Sequence, residues 1–403
     1  MDSKLMESLN ILYADHKLDK PIVLWGIGRQ TKEVIDGLYS LGKNIHILMI
    51  ADNFKYTFQK EYKSIPVREP RCLADVDKAS IVVLLAVNYA GAIRKQLTAY
   101  GITEIYNLRN LAEQTKEEGC SLHYHFVDRK YDRKALCYIL AGYEQHLWDN
   151  TLARIAVFQS EEVDYCLVSS GKYDKRLEEL AEDNHWSYLY TEQNQVCFIQ
   201  NLVVELHPKA EYIIKMDEDI FIGKDFFTGM LREFHKIEKE GDYRIGFAVP
   251  VIPLNCSGYV SYLHAIGKKE EYEQRFGRAY KSRFSAVYNV EETAEYLWGL
   301  MGNFDSMASR FSKRDGYYVC DCYFNIGCIM YTRERWLMMG KWPEKQGETG
   351  MGIDEAYIYQ DNVEKDMSVY EIQSVLAGHL AFGHQKQRMM KYYKDHPEIF
   401  DMS

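Results

Sequence analysis

The feature that most constrains this chain is a strand–helix alternation that runs through it twice. In residues 21–109 a short apolar strand, Ile22–Trp25, ends in Gly26-Ile27-Gly28 and is followed by a helical pattern from Thr31 to Leu41. A second strand, Ile45–Ile50, leads into Ala51-Asp52-Asn53. A buried strand at Ile81–Val87, a helix at Tyr89–Tyr100 and a short strand at Glu104–Leu108 close the unit. A second alternation begins at Leu136–Leu140 and continues through strands at Asp164–Val168, Trp186–Tyr190 and Tyr212–Met216. The helices between them span Trp148–Gln159, Asp174–Asn184 and Gln195–Leu206. The strands of residues 21–109 are continuous apolar runs, which implies that helices cover both faces of a parallel sheet. Residues 110–134 are polar and lack a sustained period. The expected organisation is an N-terminal α/β domain (1–115), a linker (116–134) and a larger mixed α/β domain (135–403).

Composition narrows the function. Hydrophobic residues make up 47% and charged residues 27% of the 403, which excludes a disordered, coiled-coil or collagen-like chain. Lys+Arg is 49 and Asp+Glu is 59, so the formal charge is 49 − 59 = −10, a poor footprint for a nucleic-acid binder. The longest clean apolar run, Ala79–Val87, is well short of the roughly 20 residues that span a bilayer. The N-terminal residues mix acids and bases and lack a signal-peptide core, so a cytoplasmic protein is expected. The nine cysteines are an odd number without a CxxC spacing and read as reduced thiols.

Each strand of the second alternation delivers small or polar residues at its carboxyl end: Ala141-Gly142-Tyr143, Ser169-Ser170-Gly171, Thr191-Glu192 and Asp217-Glu218-Asp219. Ligands of open α/β sheets bind at that edge. Three carboxylates packed at one strand end repel one another and call for a cation. Hard oxygen ligands suit Mg²⁺ or Mn²⁺, especially with phosphates in the remaining positions. The plainer alternative is a solvated acidic turn.

Met216–Asp219 resembles the Asp-X-Asp motif of GT-A-fold glycosyltransferases of the family-2 type, enzymes that use nucleotide-diphosphate sugars. The preceding Thr191-Glu192-Gln193-Asn194-Gln195, Gln200-Asn201-Leu202-Val203 and Glu211–Asp219 are similar to that family's helix start, Arg-Asn pair and acidic strand. Gln195 stands for the usual Gly and Gln200 for the usual Arg. The resemblance covers about residues 135–390 and implies a GT-A domain with a Mn²⁺ or Mg²⁺ cofactor. It implies that Asp219 binds the metal and that Asp217 contacts the ribose or the metal through water, with Glu218 beside the donor. Ala141, Gly142 and Tyr143 would lie against base and ribose, and Ser169 or Ser170 against the base. Asn325–Tyr331 matches a segment below the acceptor site. Gly350-Met351-Gly352-Ile353-Asp354-Glu355 resembles the region of inverting members where a carboxylate deprotonates the acceptor, with Glu355 as the aligned base and Asp354 as the alternative. Many GT-A enzymes bring a C-terminal His to the metal. His384 fits that role better than His379, and Lys386 and Arg388 would face the diphosphate. The partners implied are a nucleotide-diphosphate sugar and a carbohydrate, lipid-linked or protein hydroxyl acceptor, in bacterial surface-polysaccharide or glycoconjugate assembly.

The first alternation carries a degenerate dinucleotide fingerprint in Gly26, Gly28 and Thr31, with Asp52 near the position of a ribose-binding acid. This unit resembles the small Rossmann-like domains of sugar-modifying and polysaccharide-assembly enzymes. Nucleotide binding and a scaffold or dimerisation role both remain open for it. The Tyr-rich stretch 257–323 could form an acceptor surface. The basic residues at 268, 269, 275, 278, 281 and 283 could meet an anionic acceptor, such as a lipid diphosphate at the inner membrane face. Three other readings compete: a sugar nucleotidyltransferase, an NAD-dependent sugar oxidoreductase and a non-catalytic nucleotide-sugar scaffold. The first should show a Gly-rich basic loop after Leu140, and Ala141–Gln145 contains one Gly and no Lys or Arg.

Overall fold

The computed structural model describes residues 3–28, 30–42, 44–53, 55–86, 91–108, 111, 123–282, 284–320, 324, 326–343 and 353–402. The chain is mixed α/β and divides into two compact units, Met1–Ser121 with Leu337–Lys341, and Leu122–Trp336 with Trp342–Ser403.

The strands of the first unit are β1 (Ile22–Trp25), β2 (Ile47–Ala51), β3 (Glu61–Tyr62), β4 (Ile65–Arg68), β5 (Val82–Leu85) and β6 (Ile105–Asn107). They form one sheet in the order β3-β4-β2-β1-β5-β6, parallel except for the β3–β4 hairpin. The four residues of β1 and of β5 are buried throughout, as continuous apolar strands require. Leu5, Leu9 and Leu12 of the helix Ser3–Ala14 join Val34, Ile35 and Leu38 of the helix Thr31–Leu41 in the core on one face. That first helix and the β3–β4 hairpin were not anticipated.

The second unit contains β7 (Tyr124–Val127), β8 (Ala135–Leu140), β9 (Val163–Ser169), β10 (Ser187–Thr191), β11 (Tyr212–Asp217), β12 (Ile220–Ile222), β13 (Ile245–Val251), β14 (Tyr317–Cys320), β15 (Cys328–Thr332) and β16 (Ser368–His379). Its sheet runs β12-β16-β13-β15-β11-β8-β9-β10-β7, with β14 pairing against β16. The stretch expected as a linker thus contains β7, which pairs antiparallel to β10 at the sheet edge. The segment has no apolar period because an edge strand buries little of its surface; His125 and Tyr124 are exposed.

From β8 the chain builds outward to β9 and β10, then returns to place β11 on the other side of β8, all four parallel. The strand order therefore reverses between β8 and β11, the switch point where α/β sheets open a crevice at their carboxyl ends. The region 256–320, which shows no crossover pattern in sequence, folds into short helices before β14. They bury Tyr259, Tyr262, Leu297, Trp298 and Phe304 against Phe221 of β12 and Leu376 of β16. Cys137, Cys166 and Cys328 are buried in the sheet, and burial pushes their thiols up, keeping them protonated. Among the described residues no helix is long and apolar enough to cross a membrane.

Candidate active site

The switch point places Ala141-Gly142-Tyr143, after β8, beside Asp217-Glu218-Asp219, after β11. The three acids then part company, because successive residues of an extended chain face opposite ways.

Asp217 shares a face with Lys215 two residues earlier. The Lys215 ammonium, almost wholly buried, donates to the Asp217 carboxylate at 2.7 Å and to the Ile326 carbonyl at 2.8 Å. Part of the repulsion at this strand end is therefore answered from within the strand itself.

Glu218 turns inward. One carboxylate oxygen accepts from the Gly142 amide at 2.9 Å and the Trp148 indole at 2.5 Å, the other from the Tyr143 amide at 2.9 Å. Its own amide donates to the Leu140 carbonyl, and its carbonyl accepts from the Thr151 hydroxyl at 2.6 Å. Burial pushes its carboxyl above the ordinary range, although these donors pull the other way. Glu218 thus ties the β8 loop to the end of β11. The expectation that it contacts a donor is corrected here: its oxygens are buried and already occupied.

Asp219 meets β16. In the register of that ribbon Ile220 lies opposite His379, and the His379 Nε2 is 3.2 Å from the Asp219 carboxylate. Burial would raise the Asp219 carboxyl. The charge and hydrogen bond of His379, with the charge of Lys386, outweigh it and hold the group below its usual value. Burial would lower His379, but Asp219 by charge and hydrogen bond, then Asp217 by charge, raise it. The backbone of His379 is fixed as well: the Trp298 indole donates to its carbonyl at 3.2 Å, and a side chain at Gly378 would meet the Trp298 ring at 2.5 Å.

The histidine beside the acidic strand end is therefore His379. His384 lies in a short 3₁₀ turn and packs edge-on against Tyr288, with ring centroids 5.8 Å apart. His379 closes the long, buried strand β16, and strand pairing was needed to bring it to Asp219. Lys386 does lie at this end of the unit: it pairs with Glu144 and lowers Asp219 by its charge. Arg388 does not face the crevice as expected; Glu292 at 2.9 Å and Glu295 at 2.7 Å hold it.

Around the β8 loop, Gly142 has φ +143°, and a Cβ there would come within 2.8 Å of the Ser169 hydroxyl. Ser169 is fully buried beneath it, and Ser170 is buried and accepts from the Gln195 amide at 2.8 Å, so neither hydroxyl is offered to a base. Tyr143 is exposed. Its hydroxyl donates to the Ser170 carbonyl at 2.6 Å, and the Lys172 ammonium stands 5.2 Å from its ring centroid. Asp354 and Glu355 fall in the first turn of the helix Ile353–Glu364, but their side chains lie outside the described residues, as do residues 350–352 and Asn325.

In the first unit Gly26, with φ +82°, opens the turn after β1. Two of the loop's amides are satisfied by its own groups. Ile27 donates to Asp52 at 2.9 Å and Gly28 to the Thr31 hydroxyl at 2.7 Å, while Asp52 also accepts from the Lys55 amide.

Among the described residues no group of three or more His, Cys, Asp or Glu side chains could hold a metal ion. The donor set at Asp219 and His379, one hard oxygen and one imidazole, fits a divalent ion that draws its remaining ligands from substrate phosphates.

No family model matches the sequence, and no curated protein matches it. Among solved structures, the chain has a likeness to the mannosyltransferase PcManGT from Pyrobaculum calidifontis in complex with GDP-Man and Mn2+. The match covers 75% of this chain and 71% of that one, at 12% identity and a TM-score of 0.38.

Proposed function

We propose that the second unit is a metal-dependent glycosyltransferase that takes its donor, a nucleotide-diphosphate sugar, at the switch point between β8 and β11. The observation that carries this reading is the meeting of Asp219 and His379 at 3.2 Å, from strand ends 160 residues apart, beside an acidic strand end in the parallel part of a mixed sheet. A solvated acidic turn needs neither a buried lysine nor a histidine brought in from another strand.

The residues divide the work by position. Tyr143, exposed over the β8 loop, offers a ring on which a base can stack. Asp217, partly exposed and charge-matched by Lys215, can accept from ribose hydroxyls. Asp219 and His379 would hold Mn²⁺ or Mg²⁺, which when bound supplies Lewis-acid neutralisation of the leaving diphosphate. Lys386 adds positive charge on the same side. Glu355, or Asp354, is the proposed base for the acceptor hydroxyl of an inverting reaction, and the acceptor is a carbohydrate, lipid-linked or protein hydroxyl. The setting we favour is bacterial glycoconjugate assembly on the cytoplasmic side of the membrane. The first unit serves as a scaffold in this reading.

The test is a panel of nucleotide sugars with Mn²⁺, read as released nucleoside diphosphate, together with electron paramagnetic resonance of bound Mn²⁺. Asp219→Asn and His379→Gln should each lose Mn²⁺ affinity, whereas His384→Gln should keep it. Full Mn²⁺ binding by Asp219→Asn, or pyrophosphate as the released product, would overturn the proposal.

A further inference from the structure

A cleft of about 460 Å³ lies in the second unit, away from Asp219. Phe158, the turn Gly223–Phe226, residues 305–312 and Ser374–Leu376 of β16 line it. Asp219 and Gly223 flank the three residues of β12, so four residue steps, about 13 Å, separate the two places.

The cleft is built by an irregularity of β16. Pro250 of β13 faces Ile372, but the next residue, Val251, faces Leu376, so Gln373, Ser374 and Val375 are surplus to the pairing. Bulges of this kind re-aim side chains next to functional sites. Here the bulge puts Ser374 on the cleft wall, where it is 3% exposed and its hydroxyl has no partner among the described residues. A buried hydroxyl left without a partner costs stability.

Other polar residues that line the same space, Lys224, Asp225, Ser306 and Ser309, are exposed. The Asp225 carboxylate, the Lys224 ammonium and the Ser306 and Ser309 hydroxyls make no side-chain hydrogen bond or ion pair with another described residue. Asp305 is already matched by the buried Arg154, and Lys224 offsets Asp225, so the cleft has little net charge and suits neither an anion nor a cation. Half-buried Phe158 adds an apolar surface. The volume falls within the roughly 300–1,000 Å³ of small-molecule sites. A carboxylate that only accepts, an ammonium that only donates and hydroxyls that do both, set beside an aromatic ring, match a neutral ligand rich in hydroxyls.

We infer that this cleft, shaped by the β16 bulge, is a binding site for a neutral saccharide, separate from the switch point. It does not depend on whether the Asp219 end transfers a sugar.

The test is saturation-transfer NMR on the full chain with maltotriose, cellotriose, mannotriose and chitotriose at millimolar concentration, with inorganic phosphate as the competing probe. At least one neutral trisaccharide should give signal that phosphate does not displace. Asp225→Asn should weaken that binding about tenfold, the loss of one hydrogen bond to a charged group. Ser374→Ala should also weaken it while leaving the melting temperature unchanged or higher, which a structural role for this hydroxyl would not do. Mn²⁺ affinity should be unaltered in both variants, so failure here is distinguishable from failure at Asp219. No transfer from any of the four sugars, displacement by phosphate, or undiminished signal in both variants would overturn the assignment.

Discussion

Replacing Glu218 separates a residue that holds the site together from one that touches the ligand. Its carboxylate accepts from the Gly142 amide, the Tyr143 amide and the Trp148 indole. In Glu218→Gln, the amide oxygen can take the position that serves Gly142 and Trp148, leaving Tyr143 facing an NH₂ group. One buried donor is then lost, at about 1–3 kcal/mol. In Glu218→Ala all three lose their acceptor. Summed at the low end, with some return from no longer burying a carboxylate, the loss is about 3–5 kcal/mol. Urea denaturation followed by far-UV circular dichroism reads both values, and the expected order is wild type, then Gln, then Ala. Nucleoside diphosphate binding, measured by calorimetry well below the transition, should fall in the Ala variant as the loop carrying Tyr143 loosens, and much less in the Gln variant. The reasoning is refuted if Glu218→Gln keeps wild-type stability within about 0.5 kcal/mol yet loses nucleotide affinity, because the carboxylate would then be a ligand group and not a tie.

Three further outcomes follow from the same geometry. Gly142→Ala should cost about 1–3 kcal/mol from its φ of +143° and its approach to Ser169; adding Ser169→Ala should recover only the steric part, in the same urea assay. Arg154 is buried and bonds to Asn150, Asp305, the Ile222 carbonyl and the Phe400 carbonyl, so Arg154→Met should cost about 3–5 kcal/mol, and Asp305→Asn less, by thermal or urea unfolding. In metal-free protein the raised His379 contributes stability below its ordinary value of 6.5 that is lost as pH rises through its folded value. The lowered Asp219 contributes stability above 3.8 that is lost as pH falls through its own folded value. The stability gap between wild type and His379→Gln in EDTA should therefore shrink as pH is raised from 6 to 9, while Mn²⁺ affinity rises over that range because a metal takes the neutral imidazole. A flat gap would contradict the pairing.

The elements and the strand ends were legible in the local residue pattern. Apolar runs marked strands at Ile22–Trp25, Leu136–Leu140 and Tyr212–Met216, and the polar residues after them followed from where those runs stop, because hydrophobic periodicity is a local property. The weakly buried edge strand Tyr124–Val127 and the short helices of 258–311, too brief to sustain a helical period, gave little such signal. Which side chains meet was settled by long-range packing. Strand order put the β8 loop beside the β11 acids, the inward turn of Glu218 took it out of the crevice, and β12–β16 pairing chose His379 over His384. Glu292 and Glu295 drew Arg388 away, and three surplus residues in β16 opened a cleft. Each of these depends on register between segments far apart in the chain. A one-residue shift there sends a side chain to the opposite face, at no visible change in local pattern.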